Sequence, residues 1–350
     1  MRGAVLYGPR DVRFEERETP KIVKPTDAII RISATCVCGS DLWPYRGIQP
    51  IAQPTPMGHE YCGIVEEVGS AVTSIKPGQF VIGSFFASDN SCPNCQIGYQ
   101  SSCQHAEFVG TAQAPLLRVP LADGTLVTTP DVPSGEMVPS LLALSDVMGT
   151  GWFAADAANV KPGSTVVVVG DGAVGLLGVL SAKQMGAERI IAMSRHQSRQ
   201  KLAREFGATD IVTERGEEGM ARIKELTGGI GADSVLECVG TQESMMQAIT
   251  SARKGGYVSY VGVPHGVELD GENLFYAHVH LHGGPAPVRR YFARPHQVGV
   301  EQKDQSRQGV RPDLASRSGG GGLPRDGRAP RDQGAATPNP MIGTRALRDS

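Results

Sequence analysis

The four valines at residues 166–169 and the glycine-rich turn after them restrict the possible folds more than any other part of the chain. The turn, residues 170–175, reads GDGAVG and leads into a segment of helical character. A G-x-G-x-x-G turn between a strand and a helix indicates a dinucleotide site, because its glycines let the backbone approach the pyrophosphate at the helix N-terminus. We therefore predict cofactor contacts from Gly170, Gly172, Ala173, Val174 and Gly175.

Apolar runs alternate with amphipathic segments from this turn to about residue 261. Strands are predicted at 189–193, 210–212, 234–239 and 257–261, and helices at 174–185, 199–206, 220–226 and 244–252. Repeating βα units of this kind form a doubly wound parallel sheet. We therefore predict an α/β protein with a Rossmann dinucleotide-binding domain in residues 151–291.

The first 150 residues have a different pattern, in which short β-like runs are separated by Gly/Pro turns. The clearest runs are 27–33, 63–68 and 79–84. A chain of 350 residues with 40% apolar content is long enough for two cores. Residues 1–150 are therefore predicted to form a separate, mostly β domain.

The composition excludes several classes of partner. With 34 basic and 36 acidic residues, the net charge of −2 offers no positive surface for nucleic acid or an anionic membrane. Neither a signal-peptide core nor a run of about eighteen apolar residues is found. These features predict a cytoplasmic protein that acts on a small molecule. In a reducing compartment, its seven cysteines favour metal binding over disulfides.

The residues after the second strand of the βα region indicate which dinucleotide binds. An acidic residue there, about twenty residues after the turn, would favour NAD because it accepts hydrogen bonds from the ribose. The chain has Ser194 and Arg195 instead, and Arg199 follows one helical turn later. A hydroxyl and guanidinium groups suit the 2′-phosphate of NADP, which we predict as the cofactor. Alternatively, Arg195 is a solvated surface residue and NAD serves equally well.

Two turns in the first domain carry potential zinc ligands. Cys38 opens the sequence CGSD, and His59 and Glu60 belong to the pattern G-H-E-x-x-G-x5-G-x-x-V over residues 58–72. A thiolate and an imidazole are ligands of catalytic zinc, which keeps one position open for substrate. The alternative is structural, with Cys38 as a small core residue and His59 as a hydrogen-bonded turn residue.

On this glycine spacing the chain resembles the zinc-dependent medium-chain alcohol dehydrogenases, from about residue 1 to residue 291. The resemblance implies a GroES-like catalytic domain, a homodimer or homotetramer, and Gly262 beside the nicotinamide. It places the third zinc ligand at Asp146, which could otherwise cap a helix, and the substrate-bonding hydroxyl at Ser40. Glu60 would orient the metal sphere or enter it when the substrate leaves. The implied catalytic residues are Ser40, Cys38, His59 and Asp146.

The resemblance also implies a second, structural zinc site. Cys92, Cys95 and Cys103 match the last three of the four cysteines that hold this ion in the family, and Asp89 replaces the first. A carboxylate can coordinate zinc, so the predicted ligands are Asp89, Cys92, Cys95 and Cys103. The alternative is a loop with three free thiols. Cys36, Cys62 and Cys238 are expected to be small buried residues.

The resemblance ends near residue 291, and residues 292–350 are predicted to be an aberrant tail, frameshifted or disordered. Residues 293–350 contain no aromatic side chain except histidine, and residues 319–322 are four glycines. Codons can be chosen for residues 293–315 so that a one-base shift reads PDLIKSVWNKRINPGKVFDLTL. This string has the helix, turn and strand pattern expected of the family.

Together these features predict a zinc-dependent oxidoreductase that interconverts an alcohol and an aldehyde or ketone with NADP(H). One alternative is a quinone or enone reductase of the same fold, which needs no metal. Another is a non-catalytic zinc- and nucleotide-binding protein that the altered C-terminus has inactivated.

Overall fold

The computed structural model describes residues 1–292, so the predicted tail beyond Phe292 lies outside the described residues. The described chain divides into two compact units. The first comprises Met1–Ser145 together with residues 289–292, and the second comprises Asp146–Val288. None of the described helices combines the length and hydrophobicity that a membrane span requires.

The first unit is mostly β-structure. Its strands are β1 Arg2–Gly8, β2 Asp11–Glu16, β3 Ala28–Cys36, β4 Thr55–Pro56, β5 Glu60–Val68, β6 Phe80–Gly83, β7 Phe86–Ala87, β8 Glu107–Phe108, β9 Leu116–Val119 and β10 Leu126–Thr128. A five-stranded antiparallel sheet has the order β10-β6-β5-β3-β9, and β2-β1-β4 form a smaller one. The remaining pair, β7 and β8, forms a short antiparallel ribbon.

The sheet follows from the alternation of buried and solvent-facing residues along its strands. In β3 the buried branched residues Ile30 and Ile32 flank Arg31, whose side chain is half-buried. The glycines of the motif over residues 58–72 are also required here. A Cβ on Gly63 would lie 2.1 Å from the carbonyl oxygen of Arg31 in the neighbouring strand, so only glycine allows this approach.

The helices of the first unit are short. They are α1 Leu42–Tyr45, α2 Pro93–Gln96, α3 Ala122–Thr125 and α4 Val138–Leu144, with 3₁₀ turns at Gly39–Asp41 and Gln100–Ser102. Helix α4 packs against β3, β5 and β6. The longest helices of the described chain belong to the second unit.

The second unit contains six parallel strands with helices between them. The strands are β11 Thr165–Val169, β12 Arg189–Met193, β13 Asp210–Val212, β14 Ala232–Glu237, β15 Ala252–Tyr260 and β16 His280–Gly283. The helices are α5 Val147–Ala157, α6 Ala173–Gln184, α7 Gln197–Phe206, α8 Gly216–Leu226, α9 Gln242–Ser251 and α10 Gly271–Ala277. Helix α11, Val288–Phe292, begins at the last residue of this unit, and its other residues belong to the first unit.

The sheet order β13-β12-β11-β14-β15-β16 confirms the predicted doubly wound parallel sheet. The chain runs outward from β11 in one direction to β12 and later in the other to β14, so the order reverses at the carboxyl end of β11. A crevice at such a reversal is where α/β sheets bind nucleotides. The glycine turn at residues 170–175 lies directly at this point.

Most predicted element boundaries in this unit lie within two residues of those observed, and β12 and β13 have the predicted bounds. The largest difference is β15, which begins at Ala252 instead of residue 257. The pairing of β14 with β15 shifts its register between Ala232 and Ser234. The start of β15 was not predicted because it contains Gly255 and Gly256, and glycine is unfavourable in strands.

Candidate active site and metal centres

Four ligand groups converge where the sequence predicts the catalytic zinc. Cys38 lies just after β3, while His59 and Glu60 lie at the start of β5, which pairs with β3. Asp146 is the next residue after Ser145, at which the segment Met1–Ser145 ends. One ligand atom from each of the four side chains lies within 4.8 Å of the others. One thiol, one imidazole and carboxylate oxygens are a donor set that fits zinc.

The carboxylate of Asp41 organises this group. Its Oδ2 accepts a hydrogen bond of 2.9 Å from the backbone amide of Cys38, and its Oδ1 lies 3.4 Å from Nδ1 of His59. Because Nδ1 faces a carboxylate, Nε2 is the imidazole nitrogen that remains for a metal. Asp41 completes the CGSD turn, so the signal is present in the sequence, but the motif alone did not lead us to assign it a role.

Two hydroxyl groups lie against the predicted ligands. Oγ of Ser40 is 3.5 Å from Nε2 of His59, the nitrogen to which a metal would bind. The buried hydroxyl of Thr150 donates a hydrogen bond of 2.7 Å to Oδ1 of Asp146. Asp146 occupies the N-cap position of α5, but its side chain makes no capping hydrogen bond. The hydroxyl of Thr150 therefore helps to orient this carboxylate.

The second group contains the four residues predicted for the structural zinc. One ligand atom each from Asp89, Cys92, Cys95 and Cys103 lies within 4.8 Å of the others. Backbone amides point at the sulfur atoms: Gln104 donates to Cys92 Sγ at 3.5 Å, and Asp89 donates to Cys103 Sγ at 3.4 Å. The Gln104 amide lowers the pKa of the Cys92 thiol because it stabilises the thiolate. This arrangement suits a metal, which binds thiolates.

The carboxylate of Asp89 is held from two sides. Its Oδ1 accepts hydrogen bonds of 2.8 and 2.9 Å from the amides of Ser91 and Cys92, and its Oδ2 lies 2.6 Å from Nδ1 of His105. Burial alone would raise the pKa of Asp89, but these hydrogen bonds lower it below its usual value. His105 was not singled out from the sequence, although it lies only two residues after Cys103.

The other three cysteines were all expected to be buried, but only one of them is fully buried. Cys62 is fully buried, and burial raises the pKa of its thiol to about 12. Cys36 is exposed and Cys238 is half-buried. The prediction for Cys36 was wrong because this residue ends β3, where the chain leaves the sheet toward Cys38.

The glycine turn of the second unit fits a dinucleotide phosphate. Gly170 has a φ of +113°, which favours glycine. A Cβ on Gly175 would lie 2.0 Å from the carbonyl oxygen of Gly170, so helix α6 can begin this close to the turn only with glycine. A Cβ on Gly172, the N-cap residue of α6, would meet no atom within 4 Å, so the backbone there is open to a ligand.

Two of the three side chains predicted to bind the 2′-phosphate contact a carboxylate within the glycine turn. Asp171 accepts hydrogen bonds of 2.7 Å from the buried hydroxyl of Ser194 and 2.9 Å from Nη1 of Arg199. Burial would raise the pKa of Asp171, but these two partners lower it. Arg195 is exposed. The role of Asp171 was not predicted from the sequence, because 23 and 28 residues separate it from its partners.

A further arginine, Arg215, belongs to this neighbourhood and was also missed. It follows β13, the strand beside β12, and its Nη1 donates a hydrogen bond of 2.9 Å to the carbonyl oxygen of Glu214. Burial lowers the pKa of Arg215, and the positive charge of Arg195 lowers it further. Adjacent parallel strands end at the same edge of the sheet, so this residue could have been inferred from the predicted strand at 210–212.

The backbone after β14 is shaped by Glu237 and Gly262. The buried Glu237 accepts hydrogen bonds of 2.8 and 2.9 Å from the amides of Val239 and Gly240 through Oε1. A Cβ on Gly262 would lie 2.3 Å from the nitrogen of Gly240. Glycine at residue 262 therefore lets the chain after β15 pack directly against this loop. Its predicted place beside the nicotinamide stays a prediction.

Comparison with known proteins identifies the family. Residues 24–140 match the model of the alcohol dehydrogenase GroES-like domain, and residues 173–286 match that of the zinc-binding dehydrogenases. Zinc-type alcohol dehydrogenase B of Aspergillus flavus is 35% identical over 328 residues, covering 89% of this chain and 75% of that protein. The chain belongs to the zinc-dependent medium-chain dehydrogenase family.

Solved structures agree with this assignment. The alcohol dehydrogenase of Thermus sp. ATN1 is 28% identical with a TM-score of 0.77, and the match covers 91% of this chain and 94% of that one. A protein described as a zinc-binding dehydrogenase of Sinorhizobium meliloti 1021, solved bound to NADP, is 27% identical with a TM-score of 0.70; the match covers 87% and 90%. The predicted combination of a GroES-like domain and a Rossmann domain is confirmed.

Membership of the zinc-dependent medium-chain dehydrogenase family establishes the type of chemistry. The chain is an oxidoreductase of alcohols and carbonyl compounds, with zinc and a nicotinamide dinucleotide as its cofactors. Its substrates are small molecules. Within residues 1–292, the two groups of potential metal ligands described above are the places where zinc fits.

Proposed function

We propose that this protein is a zinc-dependent, NADP-preferring dehydrogenase that interconverts an alcohol and an aldehyde or ketone. The observation that carries the proposal is the convergence of ligand atoms from Cys38, His59, Glu60 and Asp146 within 4.8 Å. A quinone or enone reductase of the same fold needs no catalytic metal, so such a donor set would have no purpose in it. The ligand group therefore favours alcohol chemistry.

Each residue of the group has a proposed role. Cys38, His59 and Asp146 would hold the zinc ion, which would polarise the substrate oxygen while the nicotinamide exchanges hydride. Asp41 orients His59 and Thr150 orients Asp146, so both ligands are positioned before metal binds. Glu60, which is only 2% exposed, would orient the metal sphere or take the open position when substrate is absent.

Ser40 is proposed to handle the substrate proton. Its hydroxyl lies 3.5 Å from Nε2 of His59, so it borders the position at which a substrate oxygen would bind. Many relatives have a histidine three residues after this hydroxyl, but this chain has Trp43. Because an indole does not exchange protons near neutral pH, the proton would continue through the cofactor ribose and water.

The preference for NADP is supported by the charges around Asp171. Arg199 forms an ion pair of 2.9 Å with Asp171, and Arg195 and Arg215 follow the carboxyl ends of the neighbouring strands β12 and β13. Cationic side chains bind a 2′-phosphate through charge-assisted hydrogen bonds. One observation favours NAD instead: Asp171 is itself a carboxylate at the end of β11 that could accept hydrogen bonds from a ribose.

The second metal group is proposed to hold a structural zinc through Asp89, Cys92, Cys95 and Cys103. Its support is the set of amide hydrogen bonds to sulfur and the fixed carboxylate of Asp89. Structural zinc sites are four-coordinate and closed to substrate. We also retain the sequence-based predictions that the protein is cytoplasmic and forms a homodimer or homotetramer.

The proposed function is tested by zinc content and turnover in two matched variants. Cys38→Ala removes a proposed ligand, whereas Cys36→Ser changes an exposed cysteine two residues away. We expect the wild-type protein and Cys36→Ser to bind two zinc ions and to reduce aldehydes with NADPH. Cys38→Ala is expected to bind one ion and lose activity. Full zinc content and activity in Cys38→Ala would refute the assigned catalytic centre.

A further inference from the structure

Three phenylalanine rings extend away from the candidate catalytic centre. Phe85 meets the ring of His59 edge-on, with centroids 6.1 Å apart and an interplanar angle of 80°. Phe108 lies on the same histidine with centroids 5.7 Å apart and an angle of 42°. Phe86 connects them, at 5.4 Å from Phe85 and 5.5 Å from Phe108. These three residues form what we term the aromatic wall.

The two-stranded ribbon of β7 and β8 fixes the wall. Phe86 and Phe108 are directly opposite each other in this antiparallel pair, so their side chains are held on one face. Gly110 leaves room for the Phe108 ring, because a Cβ on residue 110 would lie 2.7 Å from that ring. The ring can occupy its position only because residue 110 has no side chain.

Phe85 and Phe108 of the aromatic wall differ in their exposure to solvent. Phe85 is 9% exposed, whereas Phe108 is 55% exposed although it contacts a proposed zinc ligand. A large apolar side chain that is held in place and left open to solvent beside a reactive centre is suited to binding a ligand. The three rings provide no hydrogen-bond donor or acceptor. A polyol in contact with them would lose its hydrogen bonds to water without replacement.

We propose that the aromatic wall binds the aryl group of the substrate, so that this dehydrogenase acts on aryl-bearing alcohols and aldehydes in preference to polyols. The inference rests on the proposed function, since it takes the zinc position from Cys38, His59 and Asp146. Because the ring centroids of Phe108 and His59 are 5.7 Å apart, an aryl ring bound to Phe108 would hold its carbinol group near the proposed metal ligand His59. Aromatic pairs also prefer the tilted geometries that the wall already shows.

Substrate preference provides the first test. We expect kcat/KM of the zinc-loaded wild-type protein to be at least about tenfold higher for benzyl alcohol than for sorbitol or ethanol. Phe108→Ala should lower kcat/KM for benzyl alcohol about tenfold more than it lowers kcat/KM for ethanol. Gly110→Ala, which displaces the same ring, should have a smaller effect in the same direction. Phe275→Ala, at a 76% exposed residue of α10, is the control.

A binding measurement separates failure of this inference from failure of the proposed function. Saturation-transfer NMR with benzyl alcohol should show transfer to the aryl protons in the wild-type protein and in Phe275→Ala, and loss of transfer in Phe108→Ala. Aryl binding that depends on Phe108 without any turnover would support the wall and refute the dehydrogenase assignment. Efficient turnover of sorbitol, or a benzyl alcohol signal unchanged in Phe108→Ala, would overturn the wall.

Discussion

Oδ1 of Asp41 lies 3.4 Å from Nδ1 of His59, while the other oxygen of the same carboxylate accepts a hydrogen bond from the amide of Cys38. A single side chain thus connects two proposed zinc ligands that come from different turns of the chain. Such partners fix the orientation of an imidazole and raise its basicity. The geometry of the candidate catalytic centre is therefore determined by the protein before any metal binds.

Asp41→Asn tests this relationship. The amide keeps an acceptor for the Cys38 backbone but removes the negative charge that faces the imidazole of His59. We expect zinc affinity at the catalytic centre to fall by about 10- to 100-fold. Competition with a coloured chelator measures this change. Asp11→Asn, which affects only an exposed ion pair with Arg13, is the control; equal zinc affinity in both variants would contradict the assigned role.

His105→Ala tests whether Asp89 is a zinc ligand. His105 contacts Oδ2 of Asp89 at 2.6 Å, so its removal takes away the partner of Oδ2 and leaves the amides of Ser91 and Cys92 on Oδ1. We expect one of two zinc ions to exchange at least about tenfold faster in this variant. Asp89→Cys, which restores the four-cysteine set of the family, should release zinc more slowly than the wild-type protein. Unchanged release in both variants would indicate that Asp89 does not bind the metal.

Arginine substitutions test the cofactor preference. Charge-assisted hydrogen bonds contribute about 1.5 to 3 kcal/mol each, so Arg195→Ala should lower kcat/KM for NADP by about 10- to 100-fold. The value for NAD should change little, because NAD lacks the 2′-phosphate. Asp171→Asn should raise kcat/KM for NADP, since it weakens the ion pair that occupies Arg199. An equal loss for NAD and NADP in Arg195→Ala would contradict a 2′-phosphate contact.

The ion pair of Asp27 and Arg118 predicts how stability depends on pH. Burial would raise the pKa of Asp27, but hydrogen bonds from Arg118 and two backbone amides lower it. Because the folded-state pKa is below that of the unfolded chain, near 4, the stabilisation is complete above that pH and is lost as pH falls through the folded-state value.

Asp27→Asn is therefore expected to lower the free energy of unfolding by about 1.5 to 3 kcal/mol at pH 7, since Arg118 loses one of its two carboxylate partners. The difference from the wild-type protein should shrink as the pH is lowered below 4. Thermal unfolding between pH 7 and pH 3 measures both. A difference that stays constant over this range would show that the charge of Asp27 is not the cause.

The second unit could be predicted well from the sequence because its signals are local. The valine run, the glycine turn and the following helix are contiguous, and β12 was predicted with its observed bounds. The beginning of β15 could not be predicted, since Gly255 and Gly256 are unfavourable in strands and lie in the register shift between the pairs that Ala252 and Tyr257 make with β14.

The residues of the two metal-ligand groups could be predicted because they have the sequence spacing of the family. The residues that contact these ligands could not be predicted. His105 contacts Asp89 across a returning turn, and Ser194 contacts Asp171 across 23 residues. The aromatic wall depends on the pairing of Phe86 with Phe108, two residues with no periodic relation in the sequence. Such contacts arise from tertiary structure, so no local pattern indicates them.

Zinc held by Cys38, His59 and Asp146 is the feature on which the proposed alcohol oxidation depends. The decisive quantity is the rate of NADP-linked benzyl alcohol oxidation as zinc is returned to protein stripped of metal, with Cys38→Ala measured in parallel. We predict that the metal-free protein is inactive, that the rate rises with occupancy of the catalytic centre, and that zinc does not restore Cys38→Ala. A metal-free protein that oxidises the alcohol at the full rate would contradict a zinc-dependent mechanism.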